Sequence, residues 1–176
     1  EIGSHAYHLA NYISGLKGVS VFADIKQISK KIKMDKNAQV MINFSNGAKG
    51  ILWTNVMARG GVYGLRIRIY GTKGSLEWVQ NDPEYLKFNP AKGAVKFLER
   101  GFYNANFSKN FSRIKFGHSE GYLDAFANIY KEFADSLLNK SKKRYFYPNE
   151  DEGLDTAKFI NACKMSSKNK KWQKIK

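Results

Sequence analysis

Cysteine is almost missing from this sequence. Cys163 stands alone among 176 residues, so no intrachain disulfide can form and no cysteine-based zinc site can be assembled. That agrees with a reducing, cytoplasmic setting, and Cys163 itself, inside an amphipathic segment, reads as a small core residue. Long apolar runs are missing too, and none approaches the roughly 20 residues of a membrane-spanning helix. Nor does the chain open on a basic and then apolar leader; it begins Glu1-Ile2-Gly3-Ser4-His5. The missing initiator methionine points to a fragment or a processed chain. Finally, there is no Gly-x-Gly-x-x-Gly and no strand–turn–helix unit to hold a dinucleotide in the Rossmann manner.

Acidic residues are scarce, 15 against 30 lysines and arginines, for a net charge of +15. A charge of that size raises nucleic acid as a partner. The lysines are scattered, however, with dense runs only at Lys30-Lys31, Lys140–Arg144 and Lys164–Lys176, and no helix carries a basic stripe from end to end. The excess therefore reads first as solvated surface. Attraction of a phosphorylated ligand or an acidic partner domain comes second, and nucleic acid last.

What is present is enough to build a core: 43% of residues are hydrophobic and 14% aromatic, which excludes intrinsic disorder. The length fits one domain spanning residues 1–176. Ser4 to Tyr12 has a helical pattern, with Ser4 as a candidate N-cap and Gly15 as the residue that stops the helix. Val19 to Ile28 then turns β-branched and aromatic. Gln39 to Phe44 alternates, Ser45-Asn46-Gly47 predicts a type I′ hairpin turn, and Gly50 to Val56 returns.

Leu65-Arg66-Ile67-Arg68-Ile69-Tyr70 has the cleanest period of two in the chain. It turns through Gly71-Thr72-Lys73-Gly74 into Ser75 to Val79, and shorter strands are expected at Tyr85 to Phe88 and Ala94 to Leu98. Residues 100 to 118 form an aromatic loop with Phe102, Tyr103, Phe107, Phe111 and Phe116. Tyr122, Phe126, Ile129, Tyr130, Phe133 and Leu137 then recur at helical spacing. A last helix begins near Asn149, with Glu150, Asp151 and Glu152 favourable to its dipole, and a lysine-rich tail after Ser167 is expected to fray.

The fold class is therefore α+β, an open, predominantly antiparallel sheet with helices on one face. Trp53, Trp78 and the strand tyrosines imply that the other face is not merely wet, which favours a sheet-mediated dimer.

The residues that could carry chemistry begin at the first residue. Glu1 and His5 are four apart and meet on one face if the helical turn already forms at Glu1. A histidine with a carboxylate neighbour can accept a proton near neutral pH, although the same spacing also describes a satisfied histidine near a helix start. Gly3 permits close approach of a ligand to the backbone. His118, between Gly117 and Gly121, precedes a helix whose N–H groups can bind hydroxyls or phosphate, the alternative being an ordinary loop residue before a Ser119 cap. Arg59, beside Gly60-Gly61, is a candidate ligand contact, whereas Arg66 and Arg68 serve the sheet or an interface.

Ile2-Gly3-Ser4-His5-Ala6-Tyr7-His8-Leu9 resembles the Asp-Ile-Gly-Ser/Thr-His motif of the glucose-fructose oxidoreductase/inositol dehydrogenase (Gfo/Idh/MocA) family, where it opens the second half of the enzyme. Asn46-Gly47-Ala48-Lys49-Gly50 resembles that family's hairpin. Leu65 to Trp78 resembles its Ile-Tyr-Gly-Thr-Lys-Gly strand pair. Gly117 to Tyr130 resembles the start of its long helix, and Glu152-Gly153-Leu154 opens a helix like its last one.

The resemblance implies a dihydrodipicolinate-reductase-like C-terminal domain on the substrate side of an NAD(P)-dependent dehydrogenase of sugars or cyclic polyols. His5 would then serve in proton transfer, and Glu1, in the place of the family's Asp, would orient it. His8, His118 and Arg59 would line the substrate site, His8 standing where the family often has Asp. NAD or NADP would be held mainly by an N-terminal Rossmann domain absent from this chain; the family's Glu-Lys-Pro motif, whose lysine assists proton transfer, is absent too, and no metal is implied. The partners implied are the sugar or polyol, that Rossmann domain, and a second copy or more in a homodimer or homotetramer, with no nucleic acid or membrane. A non-catalytic sugar-binding or assembly module of the same fold is the alternative.

Overall fold

In chain order the elements are α1 (Ile2–Ser14), β1 (Gly18–Lys26), β2 (Asn37–Phe44), β3 (Lys49–Asn55), β4 (Arg66–Gly71), β5 (Gly74–Val79), β6 (Tyr85–Pro90), β7 (Lys96–Glu99), α2 (Tyr122–Leu138), α3 (Glu150–Asn169) and β8 (Gln173–Lys174). They come from a computed structural model that describes residues 2–26, 37–61, 64–101, 111–115, 117–138 and 145–176. Glu1, Lys30-Lys31, Lys140–Arg144 and the loop aromatics Phe102, Tyr103, Phe107 and Phe116 lie outside the described residues. The strands assort into two four-stranded antiparallel sheets, β3-β2-β1-β8 and β4-β5-β6-β7. Two compact units contain them, residues 1–62 with 148–176, and residues 63–147.

In the first unit, strand alternation selects one face of the sheet for the core. Val21 and Ala23 of β1, Val40 and Ile42 of β2 and Leu52 of β3 are buried with Tyr7 of α1 and Phe159, Ala162 and Cys163 of α3. Cys163 is thus a core residue, and burial pushes its thiol up to about 12. On the opposite face, cross-strand register aligns Phe22, Met41 and Ile51 in one row and Asp24, Gln39 and Trp53 in the next. Ile51 is 86% exposed and Trp53 64%.

Three local expectations need correction in this unit. The α1 helix starts at Ile2, so Ser4 lies inside its first turn and is not the cap. Gly15 does stop it, at φ 67°, its N–H bonding the Asn11 carbonyl at 2.8 Å. At the β2–β3 hairpin, Gly47 (φ 86°) is left-handed and Asn46 is not. Gly47 N–H bonds the Phe44 carbonyl at 3.0 Å and Phe44 N–H bonds the Ala48 carbonyl at 2.9 Å. This is a type I turn closed by a glycine bulge, in place of the expected type I′.

The third correction concerns the tail, which does not fray. Lys170 caps α3 in the left-handed conformation at φ 55°, and the chain turns back to pair Gln173 and Lys174 with Val21 and Ser20. Trp172 packs on Phe22 with ring centroids 6.0 Å apart. Beyond β8 the edge of β1 is covered by α3 itself: Ala23 N–H donates to Ser166 Oγ and Ile25 N–H to Ser167 Oγ, both at 2.9 Å. Two serines continue the ladder where a strand would otherwise be needed. At its other end α3 has a full capping box, with Asn149 Oδ1 accepting from Glu152 N–H and Glu152 Oε2 from Asn149 N–H, both at 3.0 Å.

The second unit is a four-strand meander. Its register places Ile67, Ile69, Leu76, Trp78, Leu86, Phe88 and Leu98 on one face and Arg66, Arg68, Glu77 and Lys87 on the other. Glu77 pairs with Arg68 at 3.1 Å and with Arg66 at 3.5 Å, so both arginines do serve the sheet. Gly74 (φ 147°) is required at the β4–β5 turn, because a Cβ there would lie 2.4 Å from the Asn89 carbonyl oxygen. The apolar stripe of α2 is exposed along its length, with no residue of that helix fully buried.

Candidate functional site

The α1 helix is held in one rotation about its axis by its inner face. Tyr7, with no exposed surface, stacks on Phe159 of α3 at a centroid distance of 3.8 Å and donates its hydroxyl to Asp155 Oδ2 at 3.0 Å. Asn11, one turn on, donates its amide to the same oxygen at 3.2 Å. Burial, with the Asp155 carboxylate close by, pushes the Tyr7 hydroxyl up to about 12, so it stays a protonated donor. Each helical residue advances by about 100°, and His5, two residues before Tyr7, therefore emerges on the far side, where it is exposed. His8 lies between the two faces, half-buried, its ring 6.5 Å from that of Tyr12. His8 Nε2 and Asn11 Oδ1 are buried without a hydrogen-bond partner among the described residues.

Gly3 packs the first turn of α1 beside β3. A Cβ at Gly3 would stand in ordinary contact with Thr54 Cγ2 at 3.4 Å and Leu52 Cδ2 at 3.8 Å, so the first turn of α1 lies against β3. Arg59 follows directly on from that end of β3, in an exposed turn where Gly61 N–H bonds the Ala58 carbonyl at 3.2 Å. The start of α1, with His5, and the loop carrying Arg59 thus leave the same end of the first sheet. Glu1 lies outside the described residues.

His118 belongs to the second unit, in an exposed loop before α2. Ser119 does not cap that helix; the helix begins at Tyr122, and Gly121 N–H donates to Asp124 Oδ2 at 3.1 Å. The loop is tied down at its base. Arg100 Nε bonds Glu84 Oε2 at 2.7 Å, Nη1 pairs with Glu120 Oε2 at 3.3 Å, and Nη2 donates to the His118 carbonyl at 2.7 Å. The side chains of Arg100, Glu84 and Glu120 are only 16%, 17% and 11% exposed.

Residues 1–77 match the model of the GFO/IDH/MocA C-terminal domain. An oxidoreductase structure from Sinorhizobium meliloti is 40% identical with a TM-score of 0.93, over 98% of this chain and 50% of that one. Over residues 1–77 the chain is similar to the C-terminal domain of the GFO/IDH/MocA family. YfiI of Bacillus subtilis (strain 168), an uncharacterised oxidoreductase, is 28% identical over 95% of this chain and 45% of its own length. An inositol dehydrogenase homolog from Azotobacter vinelandii, complexed with NADH and myo-inositol, is 25% identical with a TM-score of 0.87, over 98% of this chain and 48% of that one. The chain therefore spans about half the length of the relatives it matches.

The GFO/IDH/MocA match contains His5, His8 and Arg59 and ends before His118. Nothing among the described residues fits a dinucleotide. The left-handed glycines stop a helix, close hairpins or sit in loops, and none joins a strand directly to the first turn of a helix. No described helix is long and apolar enough to cross a membrane. Sequence reasoning missed Asp155, the partner that fixes α1, and the Arg100–Glu84–Glu120 cluster. Asp155 lies 144 residues beyond Asn11, and no local pattern joins them.

Proposed function

We propose that this chain is the substrate-side domain, residues 1–176, of an NAD(P)-dependent oxidoreductase that oxidises a hydroxyl of a sugar or cyclic polyol. The observation that carries the reading is His5 exposed on a helix whose rotation is locked from behind by Tyr7 and Asn11 on Asp155. A proton acceptor must be held in place and open to substrate, and this one is both. In this reading His5 takes the hydroxyl proton and Glu1 orients its imidazole, while His8 and Arg59 contact the substrate's other hydroxyls; His118, in the second unit, is by itself a further candidate substrate contact. The nicotinamide is held by an N-terminal Rossmann domain outside this chain, and no metal takes part. The cytoplasm is the compartment, with neither nucleic acid nor membrane as partner. The exposed row around Ile51 and Trp53 favours a homodimer or homotetramer through the sheet face.

The test is His5→Asn in the oxidoreductase that carries this domain, assayed by NAD(P)H formation with sugars and inositols. Turnover should fall by roughly 10²- to 10⁴-fold. A variant that keeps its turnover within about twofold would remove His5 from the chemistry. The 176-residue chain alone should neither turn over nor bind NAD(P) tightly, and measurable oxidation by it would sink the two-domain reading. If sugars bind but no turnover exists to lose, the domain is a binding module.

A further inference from the structure

The geometry points to Arg100 as the positioning residue for His118. This rests on the reading of His118 as a substrate contact. Arg100 stands at the end of β7 and its own N–H bonds the Glu84 carbonyl at 2.8 Å, so its backbone is part of the sheet. Its guanidinium then reaches across to the segment before α2, donating to the His118 carbonyl at 2.7 Å and the Ile114 carbonyl at 3.4 Å. Glu120 answers from that segment: one oxygen pairs with Arg100, and the other accepts the N–H groups of Arg113 and Ile114. Glu84 closes the set, bonding Arg100 through one oxygen and Glu120 N–H through the other at 2.6 Å.

Every arm of this fork has a partner, and those partners lie on both sides of His118 along the chain. A lysine carries its three donors on one nitrogen, so it could not span the two carboxylates and two carbonyls that the three nitrogens of the Arg100 fork reach. The chain thus uses a largely sequestered, planar cation to fix the backbone on which an exposed imidazole is presented. The His118 side chain stays available for a ligand while its carbonyl is fastened to the sheet.

Hydrogen exchange on this chain decides the matter, comparing Arg100→Met, Arg100→Lys, Glu84→Gln and His118→Ala. Exchange at the amides of Arg113, Ile114, His118 and Glu120 should quicken by about tenfold or more in Arg100→Met, while β4–β7 amides keep their protection. Arg100→Lys should restore only part of it, and His118→Ala should leave it unchanged. Glu84→Gln reads the same latch should Arg100→Met fail to fold. Unaltered protection in the 113–121 segment would overturn the proposal, as would a loss spread evenly over the second sheet.

In the oxidoreductase, with myo-inositol and glucose as probes, Arg100→Met and His118→Ala should each raise KM with little change in kcat. Together they should raise it no further than either alone. Additive effects would separate Arg100 from His118. An unchanged KM in His118→Ala, with the segment still loosened by Arg100→Met, would reject the substrate contact and leave the latch standing.

Discussion

Removing one hydroxyl, by Ser166→Ala, should unsettle the whole first unit. Ser166 is fully buried, and its Oγ accepts from Ala23 N–H at 2.9 Å while donating to the Lys171 carbonyl at 2.7 Å. The first bond completes the edge of β1, and the second bends the chain from α3 towards β8. Alanine leaves a buried amide without a partner, which costs about 1–3 kcal/mol, and removes a second hydrogen bond worth roughly 1 kcal/mol. The expected loss is about 3 kcal/mol. Ser167→Ala is the control, because that serine is half-buried and water can replace its hydroxyl, so its loss should stay near 1 kcal/mol. Urea unfolding followed by tryptophan fluorescence, with Trp172 and Trp53 in the same unit, measures both. Ser166→Ala within about 0.5 kcal/mol of wild type, or no more costly than Ser167→Ala, would refute the serine-ladder account.

Gly74→Ala should destabilise the second unit by about 2 kcal/mol or more, since the added Cβ meets a backbone oxygen at 2.4 Å and the φ of 147° disfavours any side chain. A tolerated Gly74→Ala in thermal melts would contradict that packing. Alkali should weaken the first unit. The Cys163 thiol and Tyr7 hydroxyl are both pushed up to about 12, from 9.0 and 10.0. Folding therefore favours their protonated forms, and the stability this contributes is whole below about pH 9 and decays as pH rises towards 12. Tyr7→Phe should flatten part of the pH dependence above pH 10 in denaturant titrations, and an unchanged profile would place the sensitivity elsewhere. Alkylation of Cys163 should be slow at neutral pH, and rapid labelling of the native chain would speak against its burial.

Periodicity and turn chemistry determined the elements. Arg66 to Tyr70 alternates because one face of a sheet is covered, and the structure keeps that alternation residue for residue. Gly15 and Asn149 mark helix ends because their local chemistry satisfies the backbone whatever lies beyond. The His5 motif was legible for a similar reason, being eight contiguous residues. The hairpin turn type was not, because Asn-Gly suits two turns and the register with β3 chooses between them. The lysine-rich tail read as solvated, since nothing local reveals that Ser166, Lys170 and Trp172 meet β1 from more than 140 residues away.

The sequence by itself therefore determined the elements, their mixed class and the family that the first residues resemble. Tertiary structure alone decided how the strands divide into two sheets, which partner locks α1, and what fastens the His118 loop. Each of these depends on a hydrogen bond or ion pair between groups remote along the chain, and such contacts leave no period in the sequence that joins them.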